Sequence, residues 1–173
     1  GVCVSLPSVE SLIEKLTQAL TPYFSNPESQ PVIVGIETGG VWVAEQIRQR
    51  LAPQAELGRL NISFYRDDFT RNGLHPVVKP SSLPTDIDGR TIILIDDVLQ
   101  SGRTVRAAMN ELFDYGRPQK ILLVILIDRG QREIPVQADF VGASLSLDSN
   151  SHIKLEGPEP LNLIIKTLER HAG

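Results

Sequence analysis

The stretch Ile92-Ile93-Leu94-Ile95-Asp96-Asp97-Val98-Leu99-Gln100-Ser101-Gly102-Arg103-Thr104 constrains this chain more than any other. Apolar residues in succession, without polar alternation, predict a strand buried on both faces, the pattern of a parallel sheet covered by helices. Two adjacent carboxylates follow, then small residues, then Val105, Ala108, Met109 and Leu112 at helical spacing. A strand that ends in acids and turns straight into a helix places those acids at the carboxyl edge of an open α/β sheet, where such sheets bind ligands.

Carboxylates beside a core are costly unless a positive or hydrogen-bonding group meets them. Sugar hydroxyls or a Mg²⁺ ion would do so. Gln100, Ser101 and Gly102 let backbone N–H groups close around an anion, and the helix from Arg103 adds the positive end of its dipole. A phosphate therefore suits this turn. The glycine spacing and Gly-Lys-Ser/Thr ending of a Walker loop are absent. Glu37-Thr38-Gly39-Gly40 repeats the arrangement. It follows the apolar run Val32–Ile36 and precedes a helix face of Val41, Ala44, Ile47 and Leu51, so its N–H groups are expected to point where a second anion could bind. Each piece alone also occurs as an ordinary turn or cap. Two anion sites flanking paired acids describe a ligand with two phosphate ends and a sugar between them.

The remaining elements fit the same sheet. Ser8 caps a helix carrying Val9, Leu12, Ile13, Leu16 and Leu20. Gly58, Leu60, Ile62 and Phe64 alternate with polar partners, as in a half-exposed strand. Ile121–Ile127 predicts a buried strand, Phe140-Val141 and Ile153-Lys154-Leu155 predict short strands, and Leu161–Leu168 predicts a closing helix. Strands alternating with helices imply a mainly parallel sheet with helices on its faces, and 173 residues without a linker or repeat read as a single domain, 1–173. Between the strands lie two polar loops. Tyr65-Arg66-Asp67-Asp68 opens the longer one, and Asp128-Arg129-Gly130-Gln131-Arg132-Glu133 is the other. A charged loop of this length beside a site often serves as a lid.

Bulk properties exclude several classes. A net charge of −4 leaves no general polyanion binder. One cysteine, Cys3, gives no disulfide framework and no thiolate cluster, and the histidines (His75, His152, His171) are scattered. No apolar run approaches the roughly 18–20 residues that span a bilayer. The expected setting is reducing and cytoplasmic, with no membrane partner and no secretion signal.

In combination and order, Tyr65–Asp68, Ile95–Arg106, Tyr115-Gly116-Arg117-Pro118 and Asp128–Pro135 resemble the PyrR family, bifunctional pyrimidine-operon regulators and uracil phosphoribosyltransferases of the type I phosphoribosyltransferase superfamily. The likeness runs from about residue 30 to residue 142. It implies the type I phosphoribosyltransferase fold, a mainly parallel twisted sheet flanked by helices, with a small hood and a flexible loop. It implies formation of UMP and pyrophosphate from uracil and phosphoribosyl pyrophosphate (PRPP), with Mg²⁺ carried by PRPP near Asp96 and Asp97. By position, Asp96 and Asp97 would face the ribose hydroxyls as catalytic residues. Gln100, Ser101, Gly102, Arg103 and Thr104 would wrap the 5′-phosphate, with Val98 and Leu99 as substrate contacts beside them. Thr38, Gly39 and Gly40 would hold pyrophosphate. Tyr65, Arg66, Asp67 and Asp68 would close over PRPP, Arg66 as a catalytic cation. Ile127, Asp128 and Arg129 would lie near the pyrimidine. No general base for the uracil nitrogen stands out. A homodimer or larger homo-oligomer is also implied.

Gln100 departs from the 6-oxopurine enzymes, whose motif carries an Asp at this position, and so argues against hypoxanthine or guanine. Two departures from the resembled pattern matter. The family's pyrophosphate loop often reads Thr-Arg-Gly, whereas here it is Thr38-Gly39-Gly40, which leaves compensation to Arg66 or Arg71 or lowers activity. RNA-binding members carry basic residues on the first helix, whereas here it holds Glu10, Glu14 and only Lys15. Gln137 replaces an Arg, although Arg132 remains. RNA as a partner is thus implied by the resemblance and opposed by the scarcity of phosphate contacts. The alternative to an active enzyme is a nucleotide-sensing regulator with little catalysis.

Overall fold

The computed structural model of the chain describes residues 6–62 and 81–167. The expected loop residues Tyr65, Arg66, Asp67, Asp68, Arg71 and His75 lie outside the described residues, as do Cys3, Leu168 and His171.

The order of elements is α1 (Val9–Leu20), a 3₁₀ turn (Thr21–Phe24), β1 (Val32–Ile36), α2 (Gly39–Leu51), β2 (Gly58–Leu60), β3 (Thr91–Leu99), α3 (Arg103–Tyr115), β4 (Lys120–Asp128), β5 (Phe140–Ser144), β6 (Ser151–Glu156) and β7 (Asn162–Thr167). Five strands form one parallel sheet in the order β2-β1-β3-β4-β5. From β1 the chain adds β2 on one side, then crosses to β3 on the other and continues outward through β4 and β5. The loops after β1 and β3 therefore diverge at the switch point, where doubly wound sheets open a crevice.

The periodic readings of α1, β3 and α3 hold, whereas the half-exposed strand expected from Gly58 to Phe64 is the shorter β2, Gly58–Leu60, with Asn61 buried beyond it and Phe64 outside the described residues. Ser8 caps α1 by accepting from the Ser11 N–H at 3.2 Å, and Val9, Leu12, Ile13, Leu16 and Leu20 are all buried. On β3, Ile93 and Ile95 pack with α1 and α2, while Ile92 and Leu94 pack with Val105, Ala108 and Leu112 of α3. The unbroken apolar run is thus a strand with a helical layer on each face. It extends further than its apolar part: Asp96 pairs with Ile125 and Val98 with Ile127, so both acids belong to the strand itself. Gly116 ends α3.

The closing helix expected over Leu161–Leu168 is instead strand β7. It pairs antiparallel with β6, from Glu156 opposite Asn162 to Ser151 opposite Thr167. Leu161, Leu163 and Ile165 satisfy a period of two as readily as a helical stripe. The β-branched Ile164 and Ile165 favour the extended form once a partner strand is present. This hairpin is the small hood: Leu155 and Leu163 join the core layer of α1 and α2. Among the described residues no helix is long and apolar enough to cross a membrane.

Candidate active site at the carboxyl ends of the central strands

Asp96 is 6% exposed and Asp97 is half-buried, at the end of β3. The Asp97 N–H donates to Asp96 Oδ1 at 2.8 Å, and the Val98 N–H donates to Asp97 Oδ1 at 2.8 Å. These bonds hold both carboxylates by the strand's own backbone. The N-terminus of α2 is seated directly on them. A Cβ on Gly40 would come 2.6 Å from the Ile95 carbonyl oxygen and 3.1 Å from Asp96 Oδ1, and one on Gly39 would come 2.7 Å from Asp97 Cγ. At the other end of the β1–α2 turn, a Cβ on Gly35 would come 2.7 Å from the Val41 Cα. Glycine at these positions lets a helix start within contact of two acids. The first-turn N–H groups of α2 have no intrahelical carbonyl, so this end of the helix can receive an anion beside the acids. Glu37, just before it, faces Arg59 Nη1 at 3.8 Å.

The loop after β3 makes the second cradle. Gly102 has φ +91, a conformation glycine tolerates, and a Cβ there would press on Ile134 and Val136. Ser101 is tied down on both sides. Its Oγ accepts from the Arg103 N–H at 3.1 Å, and its carbonyl accepts from the N–H groups of Glu133 and Ile134 at 3.0 and 3.2 Å. The Arg103 side chain turns to Glu133 at 2.7 Å, so its charge is engaged away from the acids. The N-terminus of α3 faces the same edge as that of α2.

The loop after β4 completes the edge. The Arg129 N–H donates to the Leu99 carbonyl at 3.0 Å, which joins it to the end of β3. Arg132 grips Asp128 with two parallel bonds, 2.9 Å from Nη1 to Oδ1 and 2.7 Å from Nη2 to Oδ2. This guanidinium holds the Asp128 carboxyl below the ordinary carboxylate range, against the opposing effect of burial. Arg129 opens the loop that follows β4, which ends at Asp128. It is 4% exposed, and its guanidinium donates to the carbonyls of Ser151 at 2.7 Å and Asp148 at 3.0 Å. Its charge anchors the hood instead of projecting into open space. A cavity of about 400 Å³ lies alongside, lined by Asp128, Arg129, Gly130, Ser144, Leu145 and Ser146.

Three of the four expected segments thus meet: Thr38–Gly40, Asp96 to Thr104, and Ile127 to Arg129. The fourth, from Tyr65, lies outside the described residues. The sequence gives Gln131, which bonds Gln100 at 2.9 Å, no role of its own, and it marks 128–133 as a charged cluster without pairing Asp128 with Arg132. A clamp from the last residue of β4 to a loop residue four positions on produces no periodicity. Its one signal was the density of charge. Lys15, the basic residue of the first helix, donates to the Gly142 carbonyl at 2.9 Å, which places its charge against β5.

The model of the phosphoribosyl transferase domain matches residues 6–158. The chain is 51% identical over 166 residues to the Bifunctional protein PyrR of Pseudomonas aeruginosa (strain LESB58), covering 95% of this chain and 98% of that one. It is 53% identical to the Bifunctional protein PyrR of Pseudomonas syringae pv. syringae (strain B728a), with the same coverage. Among solved structures, a hypoxanthine phosphoribosyltransferase from Staphylococcus aureus superposes with TM-score 0.64 at 20% identity, over 83% of this chain and 75% of that one. A purine phosphoribosyltransferase from Pyrococcus horikoshii Ot3 superposes with TM-score 0.60 at 21% identity, over 80% and 82%. At such identity the structures establish the fold, and the curated relatives establish the family. A parallel sheet whose switch-point loops enclose paired acids, together with half-identity over nearly the whole chain, leads to one assignment: this chain is a member of the phosphoribosyltransferase family and, within it, of the PyrR proteins.

Proposed function

We propose that the chain transfers the phosphoribosyl group of PRPP to uracil, giving UMP and pyrophosphate. The observation that carries this reading is the pair Asp96 and Asp97 held between the N-termini of α2 and α3. Acids accept from the ribose hydroxyls, the Gln100–Thr104 turn donates to the 5′-phosphate, and Thr38–Gly40 donates to pyrophosphate. Departure of pyrophosphate leaves positive charge on the ribose ring. The neighbouring carboxylates stabilise that charge while the two N–H cradles hold the phosphates in line.

The donor set suits Mg²⁺ carried in with the substrate. Among the described residues no group of three acids, histidines or cysteines forms a metal cage. Asp96 and Asp97 offer hard oxygens, and Mg²⁺ is ordinarily held by one or two carboxylates together with substrate phosphates. When bound there it would neutralise the leaving group. A lone Cys3 agrees with work in a reducing cytoplasm.

The test is UMP formation from uracil and PRPP with Mg²⁺, run beside hypoxanthine and guanine. UMP with uracil and no nucleotide from the purines is expected, and absence of UMP at every pH tested would overturn the reading. The relatives are named bifunctional, and a regulatory, RNA-binding role is the second reading. Lys15 engaged with the Gly142 carbonyl weighs against it. Filter binding to a pyrimidine-operon leader, with UMP and over a salt series, decides: sequence preference with a steep salt slope supports it, and a flat response with no sequence preference removes it.

A further inference from the structure

Arg59 stands in the middle of β2, across β1 from the acids of β3. Its backbone is fixed on both sides. It is in register with Gly35 of β1, and its N–H and carbonyl each pair with Ser82 at 2.8 Å. Residues in register across a pleated sheet point to one face. A Cβ on Gly35 would meet the Gly40 carbonyl oxygen and Val41 in the first turn of α2, so Arg59 projects on the face that carries this helix. Two effects locate its charge there. Arg59 Nη1 lies 3.8 Å from Glu37 Oε1, and the Glu45 carboxyl on α2 is held below the ordinary carboxylate range first by its hydrogen bond to Arg48 and more weakly by Arg59.

The arginines at the other end of this edge are engaged. Arg103 bonds Glu133, Arg129 bonds the Ser151 and Asp148 carbonyls, and Arg132 grips Asp128. Arg59 differs. Its contact with Glu37 is too long for a hydrogen bond, its side chain is 49% exposed, and among the described residues that side chain donates no hydrogen bond. Its N–H fork is open to an anion. Glu37 sharpens the need for one. A carboxylate one residue before the Thr38–Gly40 cradle repels the anion that the cradle would receive, and Gly39 carries no side chain to offset it.

We propose that Arg59 is the leaving-group cation of this chain, turning from Glu37 to pyrophosphate held in the Thr38–Gly40 cradle. The turn before α2 then has the Asp96–Asp97 pair on its β3 side, for the positive ribose, and a guanidinium on its β2 side, for the departing anion. Arg59 exchanges no proton. It stabilises the electron pair that stays on the pyrophosphate oxygen when the bond to the ribose breaks, and its fork matches phosphate oxygens with paired hydrogen bonds. The inference rests on the phosphoribosyl-transfer reading above and names the residue that receives its leaving group.

The test titrates pyrophosphate with Mg²⁺ into the native protein, R59Q, R59K, E37Q and the E37Q/R59Q pair by calorimetry, with ribose 5-phosphate as the control ligand. R59Q should weaken pyrophosphate about tenfold or more, leaving ribose 5-phosphate affinity and melting temperature unchanged. R59K should recover part of the loss. E37Q frees Arg59 from its competitor and should tighten pyrophosphate binding. The double variant should stay as weak as R59Q or nearly so. Native pyrophosphate affinity in R59Q would overturn the proposal. Recovery of native affinity in the double variant would overturn it too, since Arg59 would then act only by screening Glu37. A joint loss of both ligands and of melting temperature in R59Q would mark a structural role and equally overturn it. If the native protein binds pyrophosphate but forms no UMP, the uracil reading falls and the Arg59 assignment is decided by calorimetry. If it binds no pyrophosphate, the assignment falls whatever the turnover.

Discussion

Gly39 lies against Asp97 so closely that a Cβ at position 39 would overlap the Asp97 carboxylate. Where the resembled pattern often has arginine this chain has glycine, and a Cβ there would require the Asp97 side chain to move. A side chain at position 39 cannot coexist with Asp97 where it now stands. Whatever cation offsets the leaving group has to come from elsewhere.

Gly39→Ala should displace the Asp97 carboxylate. The overpacking should cost about 1–3 kcal/mol, and UMP formation should fall at least about tenfold through the misplaced acid. Most of the stability cost should vanish when the same change is made in a D97A background, because the obstructing carboxylate is gone. Additive losses in that cycle, read by thermal denaturation, would show that the two residues do not collide.

Asp97→Asn preserves shape and can still accept from the Val98 N–H. Its charge is lost. Turnover should drop by about a hundredfold or more, while the melting temperature stays close to the native value. Native turnover in this variant would take Asp97 out of the reaction.

The Asp128–Arg132 clamp predicts a pH signature. The Asp128 carboxyl is held low chiefly by its hydrogen bonds to Arg132, with burial opposing. A depressed folded pKa gives stability that is complete above the ordinary aspartate value and is lost as pH falls through the folded one. Arg132→Met should therefore cost about 1 kcal/mol at pH 7. The gap between the native and variant unfolding curves should narrow as pH drops from about 5 to about 2, leaving the part due to the Val136 and Gln100 carbonyls that Arg132 also bonds. A difference that stays constant across this range would mean the clamp contributes no linked stability.

Arg129→Met should loosen the hood. It leaves the Ser151 and Asp148 carbonyls without their buried donor, a loss of about 2–4 kcal/mol. Hydrogen exchange should rise first at β6 and β7, with the parallel sheet protected longer. Uniform loss of protection would contradict an anchoring role confined to the hood.

Local pattern carried most of the architecture. The Ile92–Asp97 run, the Ser8-capped stripe of α1 and the glycine turn before α2 each hold their meaning within a few residues, because burial follows periods of two or of three to four along one segment. Those segments also carried the paired acids and the two helix N-termini that the structure brings to the same sheet edge, so that juxtaposition was legible too. The C-terminal Leu161–Leu168 was not, since its apolar spacing satisfies either period.

What the chain alone determined is the strand-acid-turn-helix unit and the edge at which it ends, since backbone geometry and side-chain alternation decide these residue by residue. Tertiary structure decided the rest. A partner strand made β7 extended, and the hood drew Arg129 inward. Two loops far apart in sequence brought Gln100 to Gln131, and the entry of α2 set Gly39 on Asp97. Contacts between distant segments leave no periodic trace in either one, and only the folded chain brings their atoms within bonding distance.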